Sequence, residues 1–297
     1  MGCVGCGQCR IECPTGAIKV KSSITEVLTA IKDENSMVVA QIAPAVRVGL
    51  GGMFDLPGDV NAMEIIVGAM RQMGFDRIFD TSFGADLTIA EECEELLHRL
   101  SSGENLPLMT SCCPAWVRFC EDRYPQFAEN ISTCRSPHQM LGAAIRAHYK
   151  ETERVVIVSV MPCTAKKNET QPDVDYVITT SELACLIKQQ GIVLADCQPS
   201  KTDEPFGQAS MDALHFGAAG GVAKAITSHL DTDIKAVSVS GLANATELMQ
   251  KLEKGEVQYD LVEVMACPGG CIMGGGQPVP RQLSKQVKLK RENALHK

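Results

Sequence analysis

Three cysteine-bearing stretches lie far apart in the chain: Thr110-Ser111-Cys112-Cys113-Pro114-Ala115-Trp116, Met161-Pro162-Cys163-Thr164-Ala165-Lys166-Lys167-Asn168-Glu169, and Glu263 through Pro278, which holds Cys267-Pro268-Gly269-Gly270-Cys271. They supply five thiols, each beside Pro, Gly or a second Cys. Such neighbours let a backbone bend sharply and come close to something bulky. A cysteine that only packs as a small hydrophobe needs none of this. The chemistry that fits all three stretches at once is the binding of a cluster or metal.

A fourth group sits at the start, where Cys3-x2-Cys6-x2-Cys9-x3-Cys13-Pro14 has the spacing of the bacterial ferredoxin run for a [4Fe–4S] cluster. Zinc more often takes two separated Cys-x2-Cys knuckles. In two-cluster ferredoxins the fourth cysteine of each run serves the other cluster, and one run is present here. Three arrangements stay open: Cys13 closes the same cluster, a ligand comes from elsewhere, or a partner chain supplies it. The single local cluster is preferred, because a shared one needs the Met1–Gly16 segment to meet a partner in register.

The elements that must position these thiols alternate. Strands are expected at Val38–Ile42, Arg77–Asp80, Leu108–Thr110, Val155–Val160, Tyr176–Thr179, Ala236–Ser240 and Leu261–Val264. Helices are expected at Asn61–Met73, Thr88–Leu100, Trp116–Arg123, Gln139–Tyr149, Ser181–Gln189, Gly221–His229 and Ala245–Leu252. Alternation of this kind predicts an α/β fold with mainly parallel sheets flanked by helices. The motif cysteines fall just beyond strands, where ligands collect in open α/β sheets, so the stretches can converge on one crevice. Thr88-Ile-Ala-Glu91 reads as a capping box, and Ile89, Cys93, Leu96, Leu97 and Leu100 mark the helix's apolar face. At 100° per residue, Glu92, Glu95 and Arg99 run along one edge of that face, while Glu91, Glu94 and His98 point away. Spacing alone makes this a Glu–Arg i,i+4 pair. A carboxyl at the margin of a core also has its pKa raised towards a proton-relay range.

With 297 residues the chain can bury a substantial core. Fourteen cysteines without a secretory signal pattern suggest a reducing, cytoplasmic setting. No apolar run approaches the ~18 residues of a spanning helix. A net charge of −8 argues against a general nucleic-acid binder. The basic tail Lys285, Lys288, Lys290, Arg291 and Lys297 reads as a solvated terminal helix or frayed end.

The three stretches resemble the three signature motifs of the [FeFe]-hydrogenases, and the similarity runs from about Cys3 to Pro280. The resemblance implies two lobes clasping an H-cluster, in which a [4Fe–4S] cubane is joined through one thiolate to a two-iron subcluster with CO, cyanide and a dithiolate bridge. By the same resemblance, Cys113, Cys163, Cys267 and Cys271 hold the cubane, with Cys271 as the bridge. Cys112 is left free as proton donor and acceptor, Lys166 pairs with an iron-bound cyanide, and Glu92, Glu95 and Ser132 match the relay positions. Ala43, Pro44, Pro137, Met161, Phe216 and Met265 match the pocket contacts. The implied reaction is 2H⁺ + 2e⁻ ⇌ H2, with electrons from a ferredoxin-like carrier and assembly by separate maturation proteins. The expected organisation is a ferredoxin-like segment over 1–22 and a catalytic domain over 23–297, with an oligomer or redox subunit possible.

The chain also departs from the family. His138 stands where Gln is usual, Ser210-Met211-Asp212-Ala213 replaces a glycine-rich stretch, the part between Ser240 and Glu263 is shorter, and the expectation is a form without the upstream accessory cluster domains. The pattern is that of a shortened catalytic domain. The rival readings are a hydrogen sensor and an iron–sulfur assembly factor that holds cubanes alone.

Overall fold

The computed structural model describes residues 2–54, 56, 60–152, 154–170, 172–278 and 284–295. Its strands are β1 (Met37–Ile42), β2 (Arg77–Asp80), β3 (Leu108–Met109), β4 (Val155–Met161), β5 (Tyr176–Thr179), β6 (Ala236–Ser240) and β7 (Leu261–Met265). Helices α1 (Gln8–Glu12), α2 (Ile24–Ile31) and α3 (Met63–Gln72) precede the long α4 (Ser82–Ser102). Then come α5 (Pro114–Arg123), α6 (Pro137–His148), α7 (Thr180–Gln189), α8 (Met211–Leu214), α9 (Gly221–His229), α10 (Leu242–Glu253) and α11 (Ser284–Leu295).

The strands form two sheets, ordered β2-β1-β4-β5 and β3-β7-β6, and every pairing is parallel. Each sheet anchors its own apolar core. Strand β4, Val-Val-Ile-Val-Ser-Val-Met, is buried from its second residue onward, as a β-branched strand with helices on both faces must be. The α/β architecture with parallel sheets flanked by helices is therefore as expected, and most strand bounds agree within a residue. Among the described residues no helix is long and apolar enough to cross a membrane.

Two expectations need correction. Helix α4 begins at Ser82, six residues before Thr88, so Thr88 is no cap. Its hydroxyl instead donates back to the Gly84 carbonyl at 3.0 Å. The N-cap position is Thr81, with no side-chain cap, and Asp80 holds the first helical residue, its Oδ1 accepting from the backbone N–H and hydroxyl of Ser82 at 2.9 and 2.6 Å. The apolar face holds for Ile89, Cys93 and Leu96, but Leu97 is 45% exposed. The basic tail is also not simply solvated. In α11, Arg291, Ala294 and Leu295 are buried, and Arg291 donates to the carbonyls of Ile272 (2.7 Å), Gly49 (3.3 Å) and Pro278 (2.5 Å). Three residues at helical spacing suffice to dock the helix, a stripe too short to stand out among charges. Lys297 lies outside the described residues.

Helix α4 packs against α6 on one side and against α8 and α9 on the other, and so lies between the two cores. It comes close to α6 at Gly84, where a Cβ would stand 2.1 Å from the Pro137 carbonyl oxygen and 3.0 Å from the Leu141 Cβ. Gly84→Ala gains ~1 kcal/mol of helix propensity, yet the overpacking should leave the protein less stable by ~1–3 kcal/mol. Urea unfolding measures this, and an Ala variant as stable as wild type would mean that the two helices do not meet so closely.

Candidate active site between the two sheets

The carboxyl ends of β1, β3, β4 and β7 turn towards one cavity. Its wall includes Cys112, Cys113, Cys163, Cys271 and Lys166, together with Ala43, Pro44, Pro137, Met161, Phe216 and Met265. Cys267 is buried beside them, its thiol raised by burial and by the nearby Cys163 and Cys113. Burial likewise raises Cys113, Cys163 (to about 12) and Cys271, and neighbouring thiols add to the rise for Cys163 and Cys271. Left alone, such a set stays protonated; as thiolates it requires cationic iron to offset the repulsion. Among the described residues no three His, Cys, Asp or Glu side chains are gathered tightly enough for a single metal ion. The donor set fits a cluster.

The backbone around the thiols is drawn in closely. A Cβ on Gly274 would stand 2.3 Å from the Pro162 carbonyl oxygen, and one on Gly275 would stand 2.1 Å from that of Cys6. The N-terminal segment thus rests on the second and third motifs. Thr164 Oγ1 donates to the Gly5 carbonyl at 2.5 Å and Gln8 Nε2 to that of Met273 at 3.0 Å. Cys3 and Cys9 are exposed, Cys6 half-buried and Cys13 buried. The Cys13 thiol is lowered to about 6 by the Ile18 backbone N–H and the Thr15 hydroxyl.

A line of polar groups leaves the cavity along α4. Glu92 is fully buried, and burial pushes it up to about 8. Its Oε1 faces the Ser111 N–H at 3.5 Å, and its Oε2 has no partner. Ser132 Oγ donates to Glu95 Oε2 at 2.7 Å, and the same hydroxyl partly offsets the rise of Glu92. Glu95 Oε1 meets Arg99 Nη2 at 2.5 Å, so the i,i+4 pair expected from spacing is present. Arg99 also holds the Asn105, Glu129, Asn130 and Ile131 carbonyls at 2.8–3.1 Å. Glu95 opens onto a surface pocket with Glu91, Glu94 and His98. At the inner end, burial and then Glu92 hold the Cys112 thiol protonated.

Comparison with known proteins gives the family. The family model for the iron-only hydrogenase large subunit, C-terminal domain, matches residues 36–275, and that for a 4Fe-4S binding domain matches residues 2–19. The chain belongs to the iron-only hydrogenase family. It is 38% identical to the NADP-reducing hydrogenase subunit HndD of Solidesulfovibrio fructosivorans over 93% of this chain and 56% of that protein, spanning about half its length. It is also 28% identical to the cytosolic Fe-S cluster assembly factor narfl of Xenopus tropicalis, over 93% of this chain and 70% of the factor. A solved structure of a variant of the apo [FeFe]-hydrogenase HydA1 from Chlamydomonas reinhardtii superposes with a TM-score of 0.77 at 30% identity, covering 93% of this chain and 89% of that one.

Two acids in or beside this family member's cavity, Glu263 on its wall and Glu169 next to Lys166, carry no role from sequence reasoning. Glu169 Oε2 accepts from Lys166 Nζ (2.6 Å), His138 Nε2 (2.8 Å) and Ser136 Oγ (3.0 Å). Burial alone would raise Glu169, but Lys166 and His138 hold it at about 2. Glu263 is buried and raised by burial, and its carboxylate accepts from the N–H groups of Gly220 and Ala223 at 2.8 Å each, at the start of α9. The available signal was a lone acid inside the apolar strand Leu-Val-Glu-Val-Met. The departure at Ser210 forms a capped α8, with Ser210 bonded to Asp86 on α4 and its Oγ accepting from Ala213 N.

The environment of Glu92 has a consequence for stability. Its folded pKa of about 8 lies above the ~4.3 of an unfolded Glu. The favourable contribution of the protonated form is therefore full below about pH 4 and is lost as pH rises through about 8. Glu92→Gln removes this titration. Between pH 5 and 8 the wild type should lose stability relative to the variant by up to ~1.4 kcal/mol per pH unit. Urea unfolding across that range measures the difference, and a flat difference would contradict a raised Glu92.

Proposed function

We propose that this chain is an [FeFe]-hydrogenase catalysing 2H⁺ + 2e⁻ ⇌ H2, with protons and H2 as substrates and the cavity between the sheets as its active site. The observation that carries the reading is Cys112: a cavity thiol left over once four others are assigned to a cubane, backed by a buried acid and a line of polar groups to the surface. In this reading Cys113, Cys163, Cys267 and Cys271 would hold the cubane of the H-cluster, and Cys271 would be the thiolate shared with the two-iron subcluster. When bound, the cofactor supplies electron storage and an open iron site.

The chain's own residues supply the rest. Cys112 gives and takes a proton at its Sγ, and a thiol suits that exchange better than a hydroxyl. Glu92, Ser132 and Glu95 move the proton between Cys112 and the outer pocket. Lys166 places a cation at the wall where a cyanide, costly to bury alone, requires one. Ala43, Pro44, Pro137, Met161, Phe216 and Met265 exclude water and hold a group with a single covalent tether. Residues 1–22 form the electron-entry segment, in which Cys3, Cys6, Cys9 and Cys13 bind one [4Fe–4S] cluster fed by a ferredoxin-like carrier. Residues 23–297 form the catalytic domain. The setting is cytoplasmic, and separate maturation proteins install the two-iron group.

The likeness to a cluster assembly factor favours a second reading, in which the chain holds cubanes alone. Hydrogen evolution from a reduced dye by fully matured protein separates the two, since an assembly factor gives none. Cys112→Ser should keep its iron while losing turnover ~100-fold or more, and unchanged turnover would remove Cys112 from the chemistry. Glu95→Gln should slow turnover and Glu94→Gln should not; equal effects would dissolve the relay.

Iron and sulfide analysis tests the N-terminal segment. Protein without the two-iron group should hold about eight irons in two cubanes, and Cys13→Ala should lose one cubane. A Cys13 loss that also changes the association state would instead mean a cluster shared between chains. Four irons in well-reconstituted protein would show the N-terminal run to be empty.

A further inference from the structure

The central strands of the larger sheet each interrupt an apolar run with one polar residue: Gln41 in β1 and Ser159 in β4, both fully buried. These two are paired across the strands, so their side chains share a face. Both are directed at one residue. Gln41 Nε2 donates to the His138 carbonyl at 2.8 Å, with Thr81 Oγ1 fixing the other end of the amide at 3.2 Å. Ser159 Oγ meets His138 Nδ1 at 3.2 Å. Polar groups in the middle of a buried parallel sheet cost stability unless they are satisfied, and satisfied networks rigidify what they hold.

The imidazole is itself buried and lines the cavity. Its Nε2 reaches Glu169 Oε2 at 2.8 Å. An ionised carboxylate only accepts, so Nε2 carries the hydrogen and Nδ1 accepts from the Ser159 hydroxyl. The same carboxylate oxygen takes Lys166 Nζ at 2.6 Å. The line from Ser159 through His138 and Glu169 to Lys166 joins the middle of the sheet to a cation on the cavity wall.

We infer that His138 is a positioning residue: its Nε2–H fixes the Glu169 carboxylate and thereby sets where the Lys166 ammonium stands on the cavity wall. The inference deepens the role proposed above for Lys166 and rests on it. What Glu169 needs from position 138 is a donor at the Nε2 place. The amide of a glutamine can put an N–H there. That of an asparagine matches Nδ1 and faces Ser159 instead.

Crystal structures of protein carrying only its cubanes test this directly. His138→Gln should keep the Lys166–Glu169 contact, and His138→Asn should lose it, with Lys166 displaced along the wall. Should the Asn variant fail to fold, Ser159→Ala, which frees the ring from the other side, should displace Glu169 and Lys166 in its place. After loading with the two-iron group, the cyanide infrared bands of the Gln variant should coincide with those of wild type. Those of the Asn variant should shift at equal iron content. A role limited to packing would move stability in both variants and the bands in neither. Lys166 in its wild-type place in the Asn variant or, failing that, in Ser159→Ala, would overturn the inference. If wild type itself shows no cyanide bands after loading, the hydrogenase reading fails, while the crystal structures still decide whether His138 holds Lys166.

Discussion

Much of this structure follows from one electrostatic constraint: several ionisable groups of like sign share a buried apolar cavity. Five thiols and three carboxylates in or beside it cannot all ionise, because each charge would be desolvated and would repel the next. The protein answers this differently at each side of the cavity. At the motif cysteines it gathers ligands that only a cationic cluster can discharge. At Glu263 it points the carboxylate at N–H groups opening α9. At Glu169 it supplies a lysine and two neutral donors, which keep the acid ionised at about 2. At Glu92 it supplies little, with one carboxylate oxygen unpartnered, and the acid rises to about 8.

That contrast between two acids near one cavity separates their chemistry. Glu169 is saturated with donors and holds its charge, which suits it to fixing a cation. Glu92 is poised to gain or lose a proton near neutral pH and stands between Cys112 and the Ser132–Glu95 pair. Helix α4 makes this arrangement possible by lying between the two cores. One face carries Ile89, Cys93 and Leu96 into the interior, and its edge carries Glu92, Glu95 and Arg99 outward from the cavity to the surface. Arg99, by clamping four carbonyls of the 105–131 region, keeps that edge in register with Ser132.

The parallel strands were legible because their runs are β-branched and bounded by turns; Arg77–Asp80, Tyr176–Thr179 and Ala236–Ser240 have the bounds expected from pattern alone. The ends of α4 were not, because its first N–H is held by Asp80 of the preceding strand and Ser82–Leu87 carries no clean apolar period. The docking of α11 was hidden by its charges. In the site, the cysteines and their glycine and proline neighbours announce themselves by type and spacing, and they come together from three strand ends, those of β3, β4 and β7. His138, Glu169 and Glu263 act through partners that are distant in sequence or set by a turn. Nothing in their immediate neighbours says that Ser159 and Gln41, in two different strands, would meet one imidazole.

The central claim is that this cavity accepts a two-iron group as well as a cubane. Infrared spectroscopy of fully matured protein tests it most directly, because iron-bound CO and cyanide absorb where the polypeptide does not. The account predicts both sets of bands, and predicts that Cys271→Ser loses them, since a bridging soft thiolate has no equal among oxygen ligands. Matured wild-type protein with its full complement of cubane iron and no such bands would contradict it and would place the chain with the cluster assembly factors.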